Sequence, residues 1–417
     1  MLNDPNDGMT SMVLSHPNGL LSGSVSLPAS KSISNRVLII KALSRASIDI
    51  QNLSTSDDTA ILEHLLLQHV PHYDVGHAGT AMRFLTAYLA FQIGDQTLTG
   101  SERMCQRPIG PLVDALNLMG ANIEYLEENG YPPIKLHSPL EQNKSDVTID
   151  ASVSSQFISA LLMVAPTLPL GLRLHLEGNS VSWPYIEMTL SLMEQFGINH
   201  IHKENTISIG NQTYQGGIIN IEGDWSAAGF YYAMVALSDH GSIVLKGLHD
   251  TSLQGDNAAM EIFKDFGVVT TKVDDGLLLT KDQKMVKPSL EVDISHVPDL
   301  AQCISVAAAG LGISLTMKGI ETLFIKETDR MFALKTELAK VGVEIHYSAT
   351  ESRQIGKAIF RDDVTFVTYG DHRMAMALSC LALIYPISIQ NPEVVSKSYP
   401  GFWDDLKILG FEMSEKV

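Results

Sequence analysis

The chain has 417 residues, 45% of them hydrophobic and 18% charged, and carries a formal net charge of −18. That length exceeds one ordinary core and fits two domains of roughly 200 residues each. The composition leaves little room for long disorder, and the acidic balance argues against a diffuse nucleic-acid or acidic-membrane surface, so an anionic ligand must be drawn in by locally concentrated cations.

In chain order, the polar opening from Met1 to Thr10 reads as a frayed tail without the marks of a secretory signal or transit peptide, which predicts a cytoplasmic protein. The stretch Leu27-Pro-Ala-Ser30-Lys31-Ser32-Ile-Ser-Asn-Arg36-Val-Leu38 follows. Ser30 is a good N-cap, and Ile33, Val37, Leu38 and Ile40 recur at helical spacing, so a helix starts there. Its first turns carry Lys31, Ser32 and Arg36, which together with open backbone N–H groups make an anion site; taken alone, the stretch also fits a capped surface helix with two solvated cations. His64, His69, His72 and His77 lack the spacing of a helical metal pair and predict no metal.

Gly76-His77-Ala-Gly79-Thr80-Ala-Met-Arg83 places two glycines and a threonine before an apolar helix, a loop that either caps the helix or cradles a phosphate or carboxylate. Glu102-Arg103-Met-Cys105-Gln-Arg107-Pro-Ile-Gly110 is a basic turn before the helix from Leu112 to Met119. Cys105, like Cys303 and Cys380, has no metal-ligand spacing, and an odd count suits reduced thiols. Ser154-Ser155-Gln156 opens a helix ending at Pro166. The apolar runs 157–172 and 303–315 are broken by proline or glycine and too short to span a bilayer.

In the second half, Val297-Pro-Asp299 puts a carboxylate at a helix start, where capping alone can explain it. In Lys326-Glu327-Thr328-Asp329-Arg330, Thr328 is the expected cap of a helix from Met331 to Val341. Asp371-His372-Arg373-Met-Ala-Met is an acidic cap over another apolar helix, and Lys397 falls on a loop before the last one.

These segments recur. Ser30, Gly79, Ser154, Ser226, Asp299 and Asp371 each follow an apolar strand and open a helix, at intervals of about 49, 75, 72, 73 and 72 residues. Glycines 120, 197, 267, 342 and 410 close helices before a strand, and a second strand follows the first four, as in 127–136 and 273–279. Six βαβαββ units are implied, the first short by roughly 25 residues and lacking its hairpin. Three units per half give two similar α/β domains, 23–222 and 1–22 with 223–417, although the strand from Met12 to Leu14 could belong to either. Cations, carboxylates and open helix ends then repeat at one face of each half, with a cleft suited to a substrate bearing phosphate and carboxylate groups.

Taken together, the Leu27–Arg36, Ala78–Arg83, Arg107–Gly110, Ser154–Phe157, Lys326–Arg330 and Asp371–Met376 segments resemble the EPSP synthases, a family of enolpyruvyl transferases, in order over about Leu21 to Leu409. The resemblance implies the inverse αβ barrel of that family in each domain, an active site in the interdomain cleft, and an open clamp closing on 3-phosphoshikimate and phosphoenolpyruvate in aromatic amino acid biosynthesis. It implies that Lys31, Ser32, Arg36, Ser154, Ser155, Gln156, Ser182, Tyr185, Asp299 and Lys326 contact 3-phosphoshikimate. Lys31, Gly79, Arg107, Glu327, Arg330, Arg373 and Lys397 would surround phosphoenolpyruvate. Asp299 is the expected base at the 5-hydroxyl and Glu327 the residue that gives and later removes the C3 proton, with Lys31 and Lys397 as further candidates. No cofactor, nucleic acid or membrane partner is implied, and a monomer is expected. His77 and Phe84 depart from the family's usual Asn and Pro, which bears on phosphoenolpyruvate affinity and glyphosate response. The rival readings are a UDP-N-acetylglucosamine enolpyruvyl transferase, whose loop cysteine Cys105 matches poorly, and a non-catalytic acidic clamp, which leaves the cations at helix starts unexplained.

Overall fold

A computed structural model of the chain describes residues 10–152, 154–178, 182–361 and 363–415; most of the polar opening lies outside them. Two compact units separate, one comprising Met1–Pro28 with Glu222–Val417 and the other Ala29–Ile221.

The elements run β1 (Ser11–Ser15), β2 (Leu20–Ser26), α1 (Lys31–Leu43), β3 (Ile48–Gln51), α2 (Asp57–Leu66), β4 (His72–Asp74), α3 (Gly79–Leu89), β5 (Gly94–Thr99), α4 (Glu102–Cys105), α5 (Gly110–Met119), β6 (Asn122–Tyr125), β7 (Ile134–Ser138), β8 (Asp146–Asp150), α6 (Ser155–Val164), β9 (Leu172–Glu177), α7 (Trp183–Gln195), β10 (Ile201–Lys203), β11 (Thr206–Ile209) and β12 (Gly217–Asn220). They continue as α8 (Trp225–Leu237), β13 (His240–Lys246), α9 (Ala259–Ile262), β14 (Val268–Val273), β15 (Gly276–Lys281), β16 (Ser289–Asp293), α10 (Ala301–Leu311), β17 (Ser314–Lys318), α11 (Arg330–Ala339), β18 (Glu344–Tyr347), β19 (Glu351–Ile355), β20 (Val364–Phe366), α12 (His372–Ser379), β21 (Ile387–Gln390), α13 (Phe402–Ile408) and β22 (Glu412–Glu415).

The repeat is visible in the sheets, whose orders are β4-β5-β7-β6, β10-β11-β9-β8 and β16-β17-β19-β18. In chain order, the first two strands of each sheet pair in parallel across a helix and the last two form an antiparallel hairpin. Glycines 120, 197, 267, 342 and 410 all have positive φ, between 80° and 114°, as expected of residues that end a helix and turn the chain into a strand. Among the described residues no strand lies between α2 and β4, so the first repeat lacks its hairpin. The second strand after Gly120 starts at Ile134 rather than near Glu127, because the turn that precedes it is longer than the sequence implied.

Two arrangements were not readable from sequence. β1 lies between β21 and β22 and supplies the fourth strand of the last repeat. The first and fourth repeats also exchange their opening strands: β2 pairs in parallel with β13, whereas β12, which leads into α8, pairs in parallel with β3.

Inside each unit the first helices of the three repeats pack on one another, α1, α3 and α6 in one and α8, α10 and α12 in the other. Every residue of α8 is buried, so this helix is apolar on all sides because it has no solvent face. The amphipathic sheets close around these inner helices, which is the inverse αβ arrangement. Each unit has its own continuous apolar core. No helix among the described residues is long and apolar enough to cross a membrane.

Candidate active site

The inner helices carry the chemistry at their starts. In the unit 29–221, Ser30 Oγ accepts from Ile33 N and caps α1, leaving Lys31 as its first residue. Lys31 Nζ stands 3.1 Å from Asp58 Oδ2, an acid from the first turn of α2. Asp58 was not singled out from sequence, where Asp57-Asp58 reads as the ordinary acidic start of a helix.

Arg36, one turn further along α1, is 2% exposed. Its Nε donates to Thr189 Oγ1 at 2.7 Å, Nη1 to the Ser32 carbonyl at 2.9 Å, and Nη2 to Ser159 Oγ at 3.1 Å and the Tyr185 carbonyl at 3.2 Å. All four acceptors are neutral. The guanidinium lies over the rings of Phe84 and Tyr185, 5.5 and 5.9 Å from their centroids, so Phe84 supplies a cation–π face. Burial pushes Arg36 down to about 10, which leaves it charged at neutral pH with no carboxylate paired to it among the described residues.

α3 starts with no side-chain cap at Ala78, so its first N–H groups are open to a ligand. Arg107, 8% exposed, lies against that end: a Cβ built on Gly79 would sit 2.5 Å from Arg107 Nη1. Its buried Nε has no hydrogen-bond partner among the described residues. Glycine at 79 is what lets the guanidinium approach the helix end. Arg83, by contrast, is structural, donating to the carbonyls of Gly79 and Pro108. Ser154 Oγ caps α6 through Gln156 N, and Gln156 Nε2 donates to Thr80 Oγ1 at 3.3 Å, joining the starts of α6 and α3. Ser155 is buried in the first turn of α6, and Ser182, with φ of 59°, precedes α7. His77 is exposed and its Nδ1 lies 2.9 Å from Ser101 Oγ.

In the unit containing 222–417, one guanidinium organises the site. Arg330, 1% exposed, pairs through Nη1 with Asp299 Oδ1 at 3.0 Å, through Nη2 with Glu327 Oε2 at 3.1 Å and through Nε with Asp371 Oδ2 at 2.9 Å. Arg373 Nη2 meets Asp299 Oδ2 at 2.9 Å, Lys326 Nζ lies 3.9 Å from Asp299 Oδ1, and Lys397 Nζ lies 3.4 Å from Glu327 Oε1. All six predicted residues of this half therefore meet in one network. Asp371 does double duty that sequence did not disclose: Oδ1 caps α12 through Arg373 N while Oδ2 holds Arg330.

Two local expectations are corrected. The cap of α11 is Asp329, whose Oδ1 accepts from Phe332 N, and not Thr328. Lys397 ends a 3-10 segment, Pro392–Lys397, where a plain loop was expected.

The electrostatics of this network are unequal. Burial pushes Asp299 upward, but Arg373, Lys326 and Arg330 outweigh it and hold the carboxyl well below the usual carboxylate range. Asp256, 2% exposed, lies behind it and accepts from Ser226 Oγ. Burial and the negative charge of Asp299 push Asp256 up to about 7. Four cations thus meet three ionisable carboxylates at buried helix starts, an arrangement able to bind anions and move protons.

The sequence matches the profile of EPSP synthase (3-phosphoshikimate 1-carboxyvinyltransferase) over residues 16–68 and 61–406. It is 45% identical to a 3-phosphoshikimate 1-carboxyvinyltransferase of Bacteroides fragilis over 395 residues, covering 94% of this chain and 96% of the relative. It is 36% identical to the protein of that name in Escherichia coli (strain K12 / DH10B) over 431 residues, covering 95% and 98%. An EPSP synthase structure from Acinetobacter baumannii superposes with a TM-score of 0.76 at 20% identity, over 97% of this chain and all of that one.

Proposed function

The chain belongs to the EPSP synthase family, and we propose that it transfers the enolpyruvyl group of phosphoenolpyruvate to the 5-hydroxyl of 3-phosphoshikimate through the residues just described. In the family's addition–elimination chemistry the 5-hydroxyl oxygen bonds to C2 of phosphoenolpyruvate as C3 takes a proton. The tetrahedral intermediate then loses a C3 proton and phosphate, which restores the double bond.

The observation that carries this reading is the charge left over in the unit 29–221: Arg36 and Arg107 are buried guanidinium groups with no carboxylate paired to them among the described residues. Burying such a charge is costly unless an anion completes it, and a doubly charged phosphate or a carboxylate does so with the fork geometry arginine favours. Lys31, Ser32, Arg36, Ser154, Ser155, Gln156, Ser182 and Tyr185 receive 3-phosphoshikimate, with Asp299 and Lys326. Arg107 and the open start of α3 at Gly79 receive phosphoenolpyruvate, with Lys31, Arg330, Arg373 and Lys397.

Asp299 is the base at the 5-hydroxyl. Held ionised by three cations, it is a weak acceptor until the anionic substrate draws Arg373 and Lys326 toward itself, so base strength rises as the site fills. Glu327, between Arg330 and Lys397, gives and removes the C3 proton. The working protein is a cytoplasmic monomer that needs no metal or cofactor, built as domains 23–222 and 1–22 with 223–417.

Phosphate release from phosphoenolpyruvate is the test. Release with 3-phosphoshikimate and none with UDP-N-acetylglucosamine is expected, and the reverse pattern would overturn the reading.

A further inference from the structure

Lys397 closes the 3-10 segment Pro392–Lys397, and what holds that segment lies two residues on. Tyr399 is 2% exposed, and its hydroxyl donates to Asp405 Oδ2 at 2.5 Å. A phenol has one proton, so in the 2.8 Å contact between the Tyr231 and Tyr399 hydroxyls the donor is Tyr231. The result is a directed chain from Tyr231 on α8, through Tyr399 behind Lys397, to Asp405 on α13. Burial holds both phenols well above their ordinary range, so the chain keeps its protons through neutral and mildly basic pH.

The far end of the segment is tied to the same helix, because Trp403 Nε1 donates to the Pro392 carbonyl at 2.9 Å. Between the two ties, Tyr399 N and Ser398 N both donate to the Val395 carbonyl, at 2.7 and 3.1 Å, so the placement of Tyr399 is transmitted to the turn that ends in Lys397. Apolar packing alone does not require any of this. The rings of Tyr231, Tyr399 and Phe402 already pack with centroids 5.5 to 6.5 Å apart, and phenylalanine would fill the same space without burying two hydroxyls beside a carboxylate. A fully satisfied buried polar chain adds geometric definition where packing adds only cohesion.

We propose that Tyr399 is a positioning residue for enolpyruvyl transfer: held by Tyr231 and Asp405, it fixes the turn that sets the Lys397 ammonium against Glu327. The inference rests on the roles given to Lys397 and Glu327 above.

Tyr399→Phe keeps the ring and removes both hydrogen bonds. In steady-state assays with 3-phosphoshikimate and phosphoenolpyruvate, kcat should fall about tenfold while KM for 3-phosphoshikimate stays within a factor of about two. In a Lys397→Ala background the same substitution should cause no further fall in kcat, since Tyr399 acts only through Lys397. Equal kcat losses in both backgrounds, or no loss in either, would overturn the proposal. A second measurement needs no turnover: reductive methylation of the ligand-free protein with formaldehyde and cyanoborohydride, followed by peptide mass spectrometry. Lys397 in Tyr399→Phe should react about threefold faster than in the parent, with Lys326 unchanged, and an unchanged Lys397 rate would also overturn it. If Tyr399→Phe does not fold, Tyr231→Phe removes the donor of the chain and is judged by the same rates. A parent protein that releases no phosphate would defeat the proposed function alone, because the methylation rates still decide the role of Tyr399.

Discussion

Glu327 stands between Arg330 at 3.1 Å and Lys397 at 3.4 Å, with its carboxylate neither free to drift nor committed to one cation. Glu327→Gln keeps the shape of the side chain, and both substrates should still bind. Turnover should drop about 100-fold or more, the usual scale for losing a general acid–base group, and near-normal kcat would remove Glu327 from the proton path. Asp256 gives a prediction about pH. Its folded pKa, near 7 through burial and the charge of Asp299, exceeds the unfolded carboxyl value of about 4. Between those values the folded state holds a proton that the unfolded state has lost. The stability contributed by this one group is therefore full below about pH 4, falls by about 1.4 kcal/mol per pH unit as pH rises, and levels off above about pH 7. Asp256→Asn should cancel that slope, so its stability advantage over the parent should grow from pH 4 to pH 7 in denaturant titrations; parallel stability curves would contradict the assignment. Neither Asp256 nor Asp58 was legible in sequence. Asp256 is one acid in a polar turn and Asp58 one of two at an ordinary acidic helix start, and the importance of each comes from a neighbour distant along the chain: Asp299 for the first, Lys31 for the second.

Helix starts were read well because their causes are local. Ser30, Ser154 and Asp371 cap the helices expected of them, and the five terminal glycines turn where a left-handed residue is needed. The start of α11 was misplaced because Thr328 and Asp329 are adjacent caps and sequence does not rank them. Strand partners are another matter, since pairing depends on contacts far along the chain. The period located six repeats yet gave no sign that β2 and β12 exchange places or that β1 completes the last sheet. That placement can be checked. Leu14 on β1 is fully buried and lies opposite Ile387. Leu14→Ala should cost about 3 kcal/mol and lower the denaturation midpoint, followed in a Trp183→Phe background in which Trp225 and Trp403 report on that unit. An unmoved midpoint would detach β1 from the core. At the start of α3, Gly79→Ala would force Arg107 aside, since the new methyl would lie 2.5 Å from Nη1. KM for phosphoenolpyruvate should rise about tenfold with a smaller change in kcat, and an unaltered KM would separate Arg107 from that substrate.

At the scale of the whole molecule, the two units contribute unlike sets of charge. Lys31 is paired with Asp58, and Arg36 and Arg107 have no carboxylate partner among the described residues, whereas Lys326, Arg330, Arg373 and Lys397 are already interleaved with Asp299, Glu327 and Asp371. If, as proposed above, cations of both units share the two anionic substrates, those ligands favour whichever state lets both sets engage. Small-angle scattering should give a smaller radius of gyration with 3-phosphoshikimate plus phosphoenolpyruvate or glyphosate than without ligand. An unchanged radius at saturating ligand, in protein shown to be active, would falsify the clamp.

The strand exchange also dictates an order of assembly on the ribosome. Residues 29–221 form a unit from one uninterrupted stretch, which can close as soon as β12 emerges and pairs with β3. The two strands made before it have no such opportunity. β2 waits for β13, roughly 220 residues later, and β1 for β21, roughly 375 residues later, or roughly 10–45 s and 20–75 s at ordinary rates of translation. The earliest part of the polypeptide is thus among the last to find its place. A nascent chain released before β13 would hold one finished unit with β1 and β2 trailing unpaired from its front, a natural target for chaperones and for misassembly.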